Sequence, residues 1–133
     1  MNSLAGTIKG IQTDKELSIV TVELLDQTVL KSIVIDTAET SLQLKIGNSL
    51  SVLFKETEVA ITTSFPDTIS TQNRITGKIQ SIEKEILVSN VTIQTDAGLV
   101  KAMISTDAVQ QLPLTTGQQV YALVKLNELI LSF

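Results

Sequence analysis

Apolar residues alternate with polar ones along most of the chain, and the alternation has a period of two. "SIVTVEL" (18–24) sets Val20, Val22 and Leu24 on one face, and "LKSIVI" (30–35) sets Ile33 and Ile35 on one face with Val34 opposite. That period, carried by β-branched residues, predicts strands and not helices. "SVLFK" (51–55) and "EVAIT" (58–62) read the same way, and the signals return in order as "LVSNVTI", "LVKAMI", "VYALVK" and "ELILSF". One place in each series signals a helix. "DTAETSLQL" (36–44) and "TDAVQQLPL" (106–114) each carry a capping residue, and Asp36 with Glu39 three positions on fits a capping box. One or two turns fit before Gly47 and Gly117, which predict turns into the following strand.

The doubled order of signals reflects a doubled sequence. With an offset of 71, Asn2, Gly6, Ile8, Ile11, Ser18, Val20 and Thr21 fall on Asn73, Gly77, Ile79, Ile82, Ser89, Val91 and Thr92. With an offset of 70, Lys31, Ala38, Leu42, Leu44, Gly47, Leu53, Lys55 and Glu58 fall on Lys101, Ala108, Leu112, Leu114, Gly117, Leu123, Lys125 and Glu128. The chain is a tandem repeat of about 60-residue units. We assign residues 1–63 to the first repeat, 64–72 to a Ser/Thr-rich linker containing Pro66, and 73–133 to the second. Five strands with a short helix after the third predict an all-β chain of two OB-like Greek-key barrels.

Composition narrows the chemistry. Units of about 60 residues bury only about 60% of their unfolded surface, so the repeats should pack on each other or on further copies. A 43% hydrophobic content and a mean hydropathy of +0.28 point the same way, to a homo-oligomer, dimer or trimer. The net charge is −4 and no basic run interrupts it, which argues against a nucleic-acid or lipid footprint. Stacking aromatics for an OB-type nucleic-acid surface are limited to Phe54, Phe65, Phe133 and Tyr121. The chain has neither Cys nor His, which removes thiol nucleophiles, the commonest general base and the usual ligands of zinc, copper and non-haem iron. Acids such as Glu23, Asp96 and Glu128 stand alone at alternating strand positions, so no enzyme is expected. With no signal peptide and no apolar run near the 18 or so residues of a membrane span, a cytoplasmic location is expected.

The order of landmarks, "N-x-x-x-G-x-I-x-x-I", a strand pair, "L-x-L-x-x-G-x-x-[VL]", and a strand ending in Lys before a last apolar strand, resembles the molybdate-binding Mop or TOBE domain. Two copies in tandem look like the di-Mop arrangement of molbindins and of molybdate-responsive regulators. The resemblance implies binding of molybdate or tungstate between units, for storage, homeostasis or sensing, with no organic cofactor and no coordinated metal cation. It implies a Ser-Ala-Arg-Asn segment before the first strand, which appears here as Ser70, Thr71, Gln72 and Asn73, with Gln72 in place of Arg; the first copy keeps only Asn2. It implies a Thr-x-x-Ser pair after the third strand, where the second copy has Ser105 and Ala108 and the first has Ile35 and Ala38. Thr37 and Thr40 restore that spacing only with a slip of two. It implies a Lys at the end of the fourth strand, kept as Lys55 and Lys125.

The chemistry is consistent with that set. Molybdate is a tetrahedral dianion that accepts hydrogen bonds and donates none, so its site needs only amides, hydroxyls and a cation or two. One Lys at about 4 Å contributes several kcal/mol at an effective dielectric near 20 before desolvation. The expected oxyanion ligands are therefore Lys125, Ser70, Gln72, Asn73 and Ser105, with Lys55 and Asn2 from the first copy. The same residues have plainer readings. Lys55 and Lys125 suit strand ends as charges against edge pairing, Ser70 and both Asn residues suit turns, and Asp36 or Asp107 suits a cap. A structural or regulatory oligomerisation module with a degenerate site is the alternative.

Overall fold

A computed structural model describes residues 1–133. The first repeat forms β1 (Asn2–Asp14), β2 (Leu17–Leu24), β3 (Val29–Val34), β4 (Ser49–Phe54) and β5 (Ala60–Thr62). The second forms β6 (Asn73–Lys84), β7 (Val88–Thr95), β8 (Gly98–Ser105), helix α1 (Thr106–Gln111), β9 (Gln119–Val124) and β10 (Ile130–Ser132). Single 3-10 turns at Glu56–Glu58 and Leu126–Glu128 precede β5 and β10, so the last strand of each repeat starts later than the alternating pattern suggests.

The strands form two five-stranded antiparallel sheets, ordered β10-β4-β1-β2-β3 and β5-β9-β6-β7-β8. Each sheet therefore holds four strands of one repeat and the last strand of the other. Ile130, Leu131 and Ser132 pair with Leu53, Val52 and Ser51, and Ala60, Ile61 and Thr62 pair with Leu123, Ala122 and Tyr121. The buried Ser32 hydroxyl, on β3, donates to Leu129 O just before β10 at 2.9 Å, tying the two outer strands of the first sheet together. The repeats thus complete each other's sheets by exchanging a strand.

The long first strand of each repeat serves two neighbours. β1 pairs with β4 through Asn2–Thr7 and with β2 through Gly6–Asp14, with a bulge between Ile8 and Gly10; β6 does the same with β9 and β7, with its bulge between Ile79 and Ser81. The turn from one partner to the other requires close backbone approach at Gly6 and Gly77. A Cβ at Gly77 would meet Ile93 Cγ2 at 2.5 Å and Gln94 O at 2.7 Å, and one at Gly6 would meet Val22 Cγ1 at 2.6 Å. Side chains pointing inward from both sheets make a single cluster of 24 buried residues drawn from both repeats, so the halves share one core. On β3 the inward face is Leu30 and Ser32, while Ile35 beyond its end is exposed.

The expected helix forms in the second repeat only. There Ser105 Oγ accepts a hydrogen bond from Ala108 N at 3.1 Å and caps α1. Ile35 takes that place in the first repeat and has no oxygen to offer. The segment after β3 instead folds as turns organised by Thr37, whose hydroxyl accepts from Glu39 N and Thr40 N; the Asp36–Glu39 capping box does not form. Gly47 and Gly117 sit at the expected turns with φ of 97° and 87°, a region that favours Gly.

Candidate functional site

Two asparagines fix the seam between the repeats. Asn73 Nδ2 donates to Lys31 O at 2.9 Å and Lys31 N donates to Asn73 Oδ1 at 2.7 Å. Asn2 does the same with Lys101, at 2.8 Å in both directions. Each amide side chain mimics one more residue pair of a sheet and engages the backbone of the outer strand of the other repeat. Both asparagines are buried, and a buried amide left unpaired would be costly. Asn73 and Asn2 are therefore clamps first, and what remains for a ligand is the second Nδ2 hydrogen of each.

The clamp on Lys31 forms one wall of a cavity of about 270 Å³. Ser70, Thr71, Gln72 and Asn73 line it from the segment leading into β6, and Lys125, Leu126 and Asn127 from the end of β9. Four of the expected ligands, Lys125, Ser70, Gln72 and Asn73, thus meet in one place. Leu126 is the single apolar residue of the lining and no acid belongs to it. The ion pairs of the structure are Met1–Glu56 and Lys9–Glu23, so neither Lys31 nor Lys125 is neutralised by a carboxylate. The nearby Glu128 carboxylate accepts from Lys125 N at 3.2 Å.

The segment holding Ser70 is itself anchored. Arg74 Nε donates to Thr71 O at 3.1 Å and Nη2 to Ile69 O at 3.3 Å. Its guanidinium lies 5.9 Å from the Phe65 ring centre, and Phe65 packs edge-on against Tyr121 at 5.8 Å. Arg74, the only arginine of the chain, is thereby spent on holding the linker and does not replace the arginine missing at Gln72.

The equivalent corner of the first repeat differs. Asn2 clamps Lys101, Lys55 follows Phe54, which pairs with Asn2, and Glu56 stands where the cavity has Leu126. The Met1 ammonium donates to Glu56 Oε1 at 2.6 Å. That hydrogen bond, one to its own backbone and the charge of Lys101 hold the Glu56 carboxyl below the usual carboxylate range. Asn2 and the strand end that carries Lys55 are thus neighbours, and neither residue lines the cavity that holds Lys125. Ser105 joins neither group, being committed to the cap of α1; Thr37 and Thr40 bond each other on an exposed turn.

Lys31 and Lys101 are the residues that sequence reasoning passes over. Their signal is the repeat itself, because Lys31 falls on Lys101 just as Lys55 falls on Lys125.

Residues 1–61 and 69–131 each match the TOBE domain. The chain is 29% identical over 126 residues to the molybdenum transport protein ModE of Herbaspirillum seropedicae, covering 93% of this chain and 47% of that protein. It is 32% identical over 79 residues to the molybdenum import ATP-binding protein ModC of Mannheimia succiniciproducens, covering 59% of this chain and 22% of that protein. The chain therefore spans less than half the length of these curated relatives. Among solved structures, the cytoplasmic molybdate-binding protein ModG with molybdate bound superposes with a TM-score of 0.91 at 26% identity, covering 98% of this chain and 94% of that one. By these matches and by its two five-stranded sheets, the chain belongs to the TOBE domain family, which it carries in two tandem copies.

Proposed function

We propose that the protein binds molybdate or tungstate in the cavity formed by Lys31, Ser70–Asn73 and Lys125–Asn127, for intracellular storage, homeostasis or sensing of the oxyanion. The observation that carries this reading is the chemistry of the lining: two unpaired lysines, one from each repeat, with hydroxyl and amide donors and no carboxylate. A doubly charged tetrahedron needs that set. At about 4 Å and an effective dielectric near 20, each lysine contributes about 4 kcal/mol per unit of ligand charge before desolvation. Lys31 supplies from the opposite repeat a second cation where Gln72 offers none. Likeness to the molybdate-binding ModG supports the ligand class. The role is binding without turnover, in the cytoplasm.

Oligomerisation accompanies this reading. Ile86 and Leu87, 94% and 79% exposed, form the tip of the β6–β7 hairpin, and Ile35, Leu42 and Ile46 are exposed on the first repeat. So much accessible aliphatic surface fits contacts with further copies of the chain as a dimer or trimer; light scattering on the purified protein is expected to give a mass above that of one chain.

A structural module with a decayed site is the second reading, favoured by Gln72 in place of an arginine and by Glu56 in the first-repeat corner. Thermal melts with molybdate, tungstate and sulfate separate the two. Ligand at a hundred times its dissociation constant adds about 2.7 kcal/mol of stability, so a marked rise in Tm with molybdate or tungstate is expected. Unchanged melts with every oxyanion would favour the structural module.

A further inference from the structure

The repeats differ at the wall beside their third strands. In the second, α1 covers that wall: Val109 is buried and Leu112 packs against the core. In the first, the matching residues are Glu39 and Leu42; no helix forms there, and both side chains are exposed. What stays uncovered is a groove of about 360 Å³ lined chiefly by apolar side chains, among them Ile35, Leu44, Ile130 and Leu131, with Asp36 as its one charged residue. The hairpin between the first two strands differs in the opposite sense. Its tip is Lys15 and Glu16 in the first repeat but Ile86 and Leu87 in the second, both well exposed. Hairpin tips ordinarily take Asn, Asp or Gly, so two bare aliphatics have no local cause. This tip is also held in place: Glu85 N donates to Val88 O at 3.1 Å, Thr106 N to Leu87 O at 2.9 Å, and the Thr106 hydroxyl to Glu85 O at 2.7 Å. A knob fixed in this way loses little freedom on docking.

We propose that copies of the chain associate head to tail, the Ile86 and Leu87 tip of one seated in the groove of Ile35, Leu44, Ile130 and Leu131 on the next. The inference deepens the reading of the protein as an oligomer and rests on it; it is independent of the oxyanion cavity. The rims of knob and groove carry complementary charges. Lys84 and Glu85 lead into the tip, while Asp36 lines the groove and Lys45 adjoins Leu44, and none of the four belongs to an ion pair within the chain. Two tips meeting each other would bury little beside the roughly 1,200 Å² of a stable interface, whereas a groove covers the tip on several sides. Knob and groove lie on different repeats, so copies close as a dimer through two reciprocal contacts or as a trimer through three.

The chain has no cysteine, so single-cysteine variants report one contact at a time. Leu87→Cys and Ile35→Cys, refolded together in equal amounts and treated with a short thiol cross-linker, are expected to give the unlike pair as the main product, with like pairs scarce. In light scattering, Lys84→Asp and Asp36→Lys should each lower the assembled fraction, and the two combined in one chain should restore it. Like pairs as abundant as the unlike one, or a double variant no more assembled than the single ones, would overturn the docking while leaving an oligomer of another kind. A parent of single-chain mass would end both readings.

Discussion

Asn73 and Asn2 make the same pair of hydrogen bonds, to Lys31 and Lys101 respectively, yet one belongs to a cavity lined by donors and the other to a corner occupied by an ion pair. The clamps are alike because the fold demands them: each fastens an outer strand of one repeat to the first strand of the other. The corners differ because the flanking residues answer to no such demand. Leu126 and Glu56 lie outside the core, on equivalent 3-10 turns, where either side chain is compatible with the backbone. Duplication preserved the frame and left the chemistry of each corner free to diverge.

Gly77→Ala should destabilise by about 3 kcal/mol, more than Gly6→Ala. The new methyl at Gly77 meets the immovable Gln94 carbonyl at 2.7 Å, while at Gly6 the nearest backbone atom is Glu23 O at 3.0 Å. Denaturant unfolding of both variants measures the difference. Asn73→Ala and Asn2→Ala should each cost about 2 kcal/mol, because the backbone groups of a lysine lose their partners. Only Asn73→Ala should also weaken oxyanion binding, since only it frees Lys31; equal loss of affinity in both would contradict the distinction between the corners. Lys31→Ala should raise the dissociation constant about tenfold, equivalent to about 1.4 kcal/mol, with little change in stability. Ser105→Ala is the smallest: about 1 kcal/mol of stability from the lost cap, and no change in affinity, because the hydroxyl faces α1 and not the cavity.

Much of the fold was legible in the sequence. Val20, Val22 and Leu24 alternate with polar neighbours and are all buried, because a sheet with one face on the core has no other way to place them. The exchange of last strands was not legible. β5 and β10 are three residues each, "AIT" and "ILS", and such short aliphatic segments suit the edge of either sheet; which edge they take is decided by the shared core and by the route of the linker. The missing first helix turned on one side chain, Ile35 in place of Ser105. Of the cavity lining, Lys125, Ser70, Gln72 and Asn73 are residues that the resemblance had named. Lys31 was passed over although the repeat marks it, because a lysine in the middle of an alternating strand resembles any solvated charge, and its partner Asn73 lies 42 residues away.

The two corners are chemically unequal, and the proposed function puts the oxyanion in the one that holds Lys125. Calorimetric titration of the parent, Lys125→Ala and Lys55→Ala with molybdate sets one corner against the other. Lys125→Ala should weaken binding by about tenfold or more, equivalent to at least about 1.4 kcal/mol, and Lys55→Ala should stay within about twofold of the parent. Equal affinities for all three proteins, or a greater loss in Lys55→Ala, would contradict the account.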